Sequence, residues 1–174
     1  MSEYYLVEFE FEKDKDPNSE YNQIIRDRNF LIKAAKIFIQ EIIMEAKKDL
    51  AKQGNAPTPE GRPEGIPADP SFFKSFKYKL DGTTILIYST WPVIEQIVEG
   101  RKSYPMTWLT KAEGITHIPI PGDRPGTVSI LTAPKRRKDA WIHPGFRKHN
   151  FVRRGYNKAK SKVEDLLEDY LDDA

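Results

Sequence analysis

His117, His143 and His149 are the first side chains to test for chemistry, because imidazole serves both as general base and as metal ligand near neutral pH. Their spacing argues against either use. Metal sites favour short spacings such as His-x-x-x-His on one helical face. These three are scattered, with no cysteine in the chain and no carboxylates clustered around them. His143 precedes Pro144 and reads as a turn residue whose ring bonds backbone. The lack of cysteine also removes thiolate metal sites, cysteine nucleophiles and disulfide scaffolds. Glu95 and Glu99 stand one turn apart and superficially suggest an acid pair, but a solvated face or a contact to a neighbour's Arg or Lys suits them better. Gly122-Asp123-Arg124-Pro125-Gly126 reads as a hairpin turn rather than a phosphate cradle. Neither a nucleophile elbow nor a His-Glu-x-x-His occurs. The expectation is a chain that is not an enzyme and uses no cofactor and no metal.

Charge is the stronger signal. The net charge is only +2, yet it is laid out in blocks. Residues 1–20 hold seven acids and two lysines, residues 135–162 hold eleven Lys/Arg and one acid, and residues 163–174 hold six acids and no base. Such blocks mark contact surfaces or solvated tails. Lys135, Arg136, Arg137, Lys138, Arg147, Lys148, Arg153 and Arg154 could bind phosphates. Trp141, Phe146 and Phe151 lie nearby, either as base-stacking platforms or as core and turn-packing residues. Arg153 and Arg154 open the last helix while Asp169, Asp172 and Asp173 close it, against the helix dipole. A single chain gains nothing from that polarity, whereas in a head-to-tail ring the basic half could meet an acidic segment of the next copy. The alternative is a solvated helix with arbitrary charges.

Interface candidates combine the charged residues above with the types enriched at interface cores, Tyr, Met, Trp and Arg. They are Trp91, Glu95, Glu99, Arg101, Tyr104, Met106, Trp108, Arg136, Arg137, Trp141, Arg153 and Arg154. Trp108 has a second reading, as closure of its own core.

The elements that must position these residues are readable from periodicity. Tyr5, Val7, Phe9 and Phe11 alternate with Leu6, Glu8 and Glu10, which predicts a half-buried strand. From Glu20 to about Gln53 the period becomes helical, with Ile25, Ile32, Ala35, Ile39, Ile42, Ala46 and Leu50 as the stripe and Ile24, Leu31 and Phe38 widening it. Gly54 is a suitable stop. Asn55 to Pro70 holds five prolines and two glycines and is expected to be neither helix nor central strand. Phe76, Tyr78 and Leu80, then Asp81-Gly82, then Thr84 to Tyr88 predict a hairpin. Trp91-Pro92, capped by Thr90, opens a short helix ended by Gly100. Ile115 to Ile120 and Thr127 to Thr132 predict a second hairpin. A last helix starts near Asn150, with a narrow seam of Val152, Tyr156, Ala159, Val163, Leu166 and Tyr170. The sum is one α+β domain over 1–174: a small antiparallel sheet of hairpins packed against two long helices, with a short helix between the hairpins. The loop at 54–71 and the insertion at 101–114 are its irregular parts. No run approaches a membrane span, and the acidic start at Met1 to Phe11 lacks the basic residues of a signal peptide.

Two stretches carry a resemblance. Ser89-Thr90-Trp91-Pro92-Val93-Ile94-Glu95-Gln96-Ile97-Val98-Glu99-Gly100 and Trp141-Ile142-His143-Pro144-Gly145-Phe146-Arg147-Lys148-His149-Asn150-Phe151-Val152 resemble the tail-completion (neck, head–tail joining) proteins of tailed bacteriophages, a group similar in fold to tail terminators. In that group a strand leads into a short helix ending in Glu-x-Gly, and a later Pro-Gly turn and aromatic lead into the C-terminal helix. An N-terminal strand, the long Pro-rich loop and the insertion depart from the pattern. The resemblance implies a structural virion protein made in the bacterial cytoplasm: a homo-oligomeric ring of about six or twelve copies. Such a ring docks on connector, neck and tail-tube proteins and passes DNA through its lumen without specific binding, away from any membrane. A tail terminator ring and a small basic-patch nucleic-acid-binding protein are the alternatives.

Overall fold

The alternation near the N-terminus does form a strand, β1 (Tyr4–Glu10), but it changes phase once. The computed structural model describes residues 2–53, 66–102, 104–105, 114–119, 127–132, 142–143 and 148–173, and between 104 and 143 it describes backbone only. β1 pairs antiparallel with β3 (Thr84–Ser89), and the register slips between Tyr5 and Val7. Leu6 is therefore the extra residue of a bulge, and a bulge reverses which side chains point inward. Val7 and Phe11 are buried as expected, but Tyr5 is turned out and is 50% exposed, which corrects its place in the inward set.

β3 also pairs antiparallel with β2 (Phe76–Asp81), giving the order β1-β3-β2. The hairpin turn is Gly82-Thr83, one residue later than the expected Asp81-Gly82, because Asp81 still pairs with Thr84. Gly82 has φ +59°, a left-handed value that glycine takes without strain. The second predicted hairpin forms from β5 (Gly114–Pro119) and β6 (Thr127–Thr132), as a separate ladder. A two-residue pairing of β4 (Tyr104–Pro105) with β7 (Ile142–His143) was not foreseen, and it puts His143 in a ladder rather than a turn.

The first helical stretch is two helices, not one. α1 (Glu20–Ile24) ends at Ile25, and α2 (Arg28–Gln53) restarts after Asp27. Asp27 directs the break: its carboxylate accepts from the Asn29 N–H at 2.8 Å and its carbonyl from the Leu31 N–H at 3.0 Å. That is the chemistry of a helix N-cap. Asn22, almost fully buried, ties the preceding loop to α1 by accepting from the Asp14 N–H and donating to the Asp14 and Asp16 carbonyls.

Two further boundaries differ from expectation. Pro70 opens a short helix, α3 (Pro70–Lys74), capped by the Asp69 carboxylate on the Ser71 N–H at 2.8 Å, so the Pro-rich stretch ends in helix. The helix expected from Trp91 begins three residues later, as α4 (Ile94–Glu99), with Val93 rather than Thr90 at its cap and no side-chain capping bond. The Trp91 N–H instead reaches Ser89 Oγ at 3.2 Å.

α5 (Phe151–Asp172) starts after Asn150, where expected, and lies along α2. The core sits between these helices and one face of the three-stranded sheet. Phe30, Phe38, Phe72, Phe151, Ile42, Ile85 and Ile87 are fully buried. The buried side of α2 is rotated from the predicted stripe: Leu31, Ala34, Ala35, Phe38, Ile42 and Ala46 are inside, while Ile32, Ile39 and Leu50 are half-buried. Gly155 explains how closely α5 can lie, since a Cβ there would meet the Ile42 Cα at 2.6 Å.

Candidate interface site

The basic and acidic blocks meet first within the chain. On α2, Glu41, Glu45 and Asp49 recur every four residues; on α5, Arg154, Lys158 and Lys162 do the same. Four-residue spacing puts each trio on one helical face. The helices pack antiparallel, so the trios zip together. Lys162 Nζ donates to Glu41 Oε1 at 2.5 Å and Lys158 Nζ to Glu45 Oε1 at 2.5 Å. Arg154 donates from Nε to Glu45 Oε2 at 2.9 Å and from a terminal nitrogen to Asp49 Oδ1 at 2.6 Å. Lys48 adds a third cation to Glu45 at 2.8 Å, and His149 Nδ1 lies 3.6 Å from Asp49.

Glu41 and Glu45 are buried, whereas their cationic partners remain roughly half-exposed. The hydrogen bonds from Lys158, Lys48 and Arg154 hold the Glu45 carboxyl well below its ordinary range, at about 2. The expectation that a single chain gains nothing from the polarity of α5 is thereby corrected. The first-turn arginine does oppose its own dipole, but it neutralises acids in the C-terminal half of the antiparallel neighbour. Sequence reasoning counted these charges by block and missed their period. The matching steps 41-45-49 and 154-158-162 were the available signal.

The other candidate residues fall in three groups. Trp91 is half-buried and meets Phe72 edge-on at 5.5 Å between ring centroids, so part of it belongs to the core. Glu95 and Arg101 are exposed. Glu99 is exposed and accepts from the Tyr4 hydroxyl at 2.5 Å, which ties α4 to β1 and pushes the phenol up to about 12. Glu99 thus has a partner in its own chain, rather than acting in a pair with Glu95. Arg153 is exposed on a cleft of about 490 Å³. That cleft lies between β1, α4 and the start of α5, with Leu6, Val98, His149 and Tyr156 on its walls. Tyr104 is placed by its backbone alone, opposite His143. Met106, Trp108, Arg136, Arg137 and Trp141 lie outside the described residues, as do Gly54 and the body of the Pro-rich loop.

The face of the sheet away from the helices carries a second cluster. Tyr5 and Tyr88 lie 5.8 Å apart, Lys79 sits 5.1 Å from the Tyr88 ring, and its ammonium reaches Glu3 at 2.6 Å. Among the described residues neither outer edge of the sheet is taken: β1 and β2 each pair only with β3, and their outward N–H and C=O groups make no further backbone bond. Among those residues no three His, Cys, Asp or Glu side chains are arranged to hold a metal, and no helix is long and apolar enough to cross a membrane.

Comparison with protein-family models, with curated proteins and with solved structures returns no match.

Proposed function

We propose that this chain is a structural subunit that assembles with copies of itself into a ring, and that the ring is a neck component of a tailed bacteriophage, completing the tail and joining it to the head connector. It does no chemistry; its work is to hold a closed channel through which DNA passes. The observation that carries self-assembly is the three-stranded sheet, both of whose edges are unpaired among the described residues. Isolated sheet edges are templates for pairing, and proteins that stay single cover or blunt them. The α2–α5 pair behind the sheet is a fixed backing, fastened by close packing at Gly155 and by the charge zipper. The phage setting rests on the resemblance at 89–100 and 141–152 and on the element order, from the long helix through hairpin, short helix and hairpin to the C-terminal helix.

Light scattering and negative-stain microscopy of the purified chain test this reading, at low and high salt, with and without DNA. The expected result is a defined ring without DNA that weakens as salt rises. A chain that stays single at high concentration refutes it, and a single chain that binds DNA tightly transfers the reading to a nucleic-acid-binding protein.

A further inference from the structure

The two outer edges of the sheet, both unpaired among the described residues, differ in charge. Along β1, Glu8 and Glu10 are exposed and on the same side of the strand, with Glu12 just beyond its end. The cleft between this edge and α5, about 410 Å³, is lined by Glu8, Glu10, Glu12 and Glu164 against one base, Lys160. Along β2, Lys77 and Lys79 alternate with the inward Phe76, Tyr78 and Leu80, and Asp81 ends the strand at the next exposed position. The cleft between that edge and the start of α2, about 460 Å³, is lined by Arg26, Arg28 and Lys79, with no acid. The lining of one cleft thus carries a surplus of three negative charges, and that of the other carries three bases, one of them held by an acid of its own chain. Lys79 is engaged with Glu3, and Arg26 makes one long contact to the Pro17 carbonyl at 3.4 Å. The side chains of Glu8, Glu10, Glu12, Lys77 and Arg28 make no hydrogen bond or ion pair among the described residues.

Strand direction fits the same partner. β1 and β2 are both antiparallel to β3, so they run parallel to each other. If the next copy is placed beside the first with its helices on the same side, its β2 arrives parallel to β1. Both helix-side clefts then come together, and an even register keeps the lysines on the glutamate face. Farther along, the β1 edge also borders Lys148 and Arg153. Those bases lie beside the start of α5 and share a cleft with Glu8, whereas Glu10, Glu12 and Glu164 lie at the other end.

We infer that the acidic β1 edge of one copy pairs with the basic β2 edge of the next, so that the sheets of successive copies join into one continuous parallel-paired belt. Such a contact is head-to-tail: it leaves one acidic and one basic edge free after every addition and closes only as a ring. The inference rests on the self-assembly reading and names its contact.

The test uses the full chain in four forms: unaltered, Glu8→Lys with Glu10→Lys, Lys77→Glu with Arg28→Glu, and all four changes together. Sedimentation velocity is run at low salt, with circular dichroism to verify folding. Each half-altered form should assemble only at concentrations raised at least about tenfold, because like charges then face each other. An equimolar mixture of the two should recover, since every contact between unlike copies is again complementary, and the fourfold form should recover alone. Half-altered forms that assemble like the unaltered chain, or a mixture that fails to recover, overturn the edge pairing while the ring stands. An unaltered chain that never assembles overturns both. A cysteine pair gives an independent readout in this cysteine-free chain. Within one copy β1 and β2 are two strand spacings apart, about 10 Å, beyond the roughly 7 Å that a disulfide can span. Glu8→Cys or Glu10→Cys combined with Lys77→Cys should therefore yield a reducible ladder of covalent multimers. Assembled but uncrosslinked chains in both double variants count against the pairing.

Discussion

Replacing Glu45 by Gln removes the one carboxylate that three cations share, while nearly preserving volume. The size of the effect follows from the titration of that carboxyl. Its value falls from 4.5 to about 2, a difference of about 2.5. At about 1.4 kcal/mol per pH unit this sets a ceiling of about 3 kcal/mol. Lys158, Lys48 and Arg154 are 41–50% exposed on their side chains, so water screens the interaction and the expected loss is about 1–2 kcal/mol. For a chain of this length that lowers Tm by roughly 3–8 °C. Because the folded value is depressed, the contribution is fully present above pH 4.5 and is lost as pH falls from there through about 2. Urea unfolding of both proteins, followed by circular dichroism from pH 7 downward, should give a gap that is constant near neutrality and closes in that acid window. Equal stability at pH 7, or a gap indifferent to acid, would refute the view that the zipper stabilises the helix pair.

Gly155→Ala forces α2 and α5 apart, since the new Cβ falls 2.6 Å from a backbone atom of Ile42; despite a helix-propensity gain of about 1 kcal/mol, the net loss is about 1–3 kcal/mol, measurable by thermal unfolding. Asn22→Ala leaves the Asp14 N–H and the Asp14 and Asp16 carbonyls without their buried partner and costs about 2 kcal/mol, with faster hydrogen exchange at Asp14 as its local signature. Tyr4→Phe cuts the tie between β1 and α4, and its destabilisation should be present below pH 10 and fade as pH rises towards 12, because the folded phenol titrates above its ordinary value; a pH-independent difference would assign the role to packing instead.

The class of fold was legible because hydrophobic pattern and turn residues fix element type: period two gave β1 and β2, the turn dipeptide and a β-branched run gave β3, a Pro/Gly turn between two apolar runs gave the β5–β6 ladder, and helical period gave α2 and α5. What was not legible depends on individual backbone groups. The break at Asp27 interrupts an apolar stripe that reads as continuous through Ile24, Ile25 and Leu31, because a side chain competing for the N–H groups of the next turn leaves no trace in hydropathy. The bulge at Leu6 is invisible for a similar reason: Tyr4 and Tyr5 are equally suited to either face, so one inserted residue costs no apolar burial and flips Tyr5 outward. Of the interface candidates, sequence chose by residue type and so gathered Trp91, which is partly core, and Arg154, which is bound to α2, while passing over the glutamates of β1 and the lysines of β2. Those looked like the ordinary solvated side of amphipathic strands, and only the strand order reveals that they lie on opposite rims.

That order also decides where an assembly contact should be sought. A charge held by a buried partner within the chain cannot be exchanged cheaply for one on a neighbour, because the exchange leaves a buried carboxylate unpaired, at a cost of several kcal/mol. Glu41 and Glu45 are such carboxylates, so Arg154, Lys158 and Lys162 are committed, and the charged seam of the helix pair is removed from the set of available surfaces. The glutamates of β1 and Lys77 and Arg28 carry no such commitment, and they flank the two strands whose outward backbone groups are unpaired among the described residues. A contact there satisfies backbone and side chain together at no internal loss. High salt should therefore weaken assembly well before it unfolds the subunit, since the edge charges are exposed and screened while the buried acids are not.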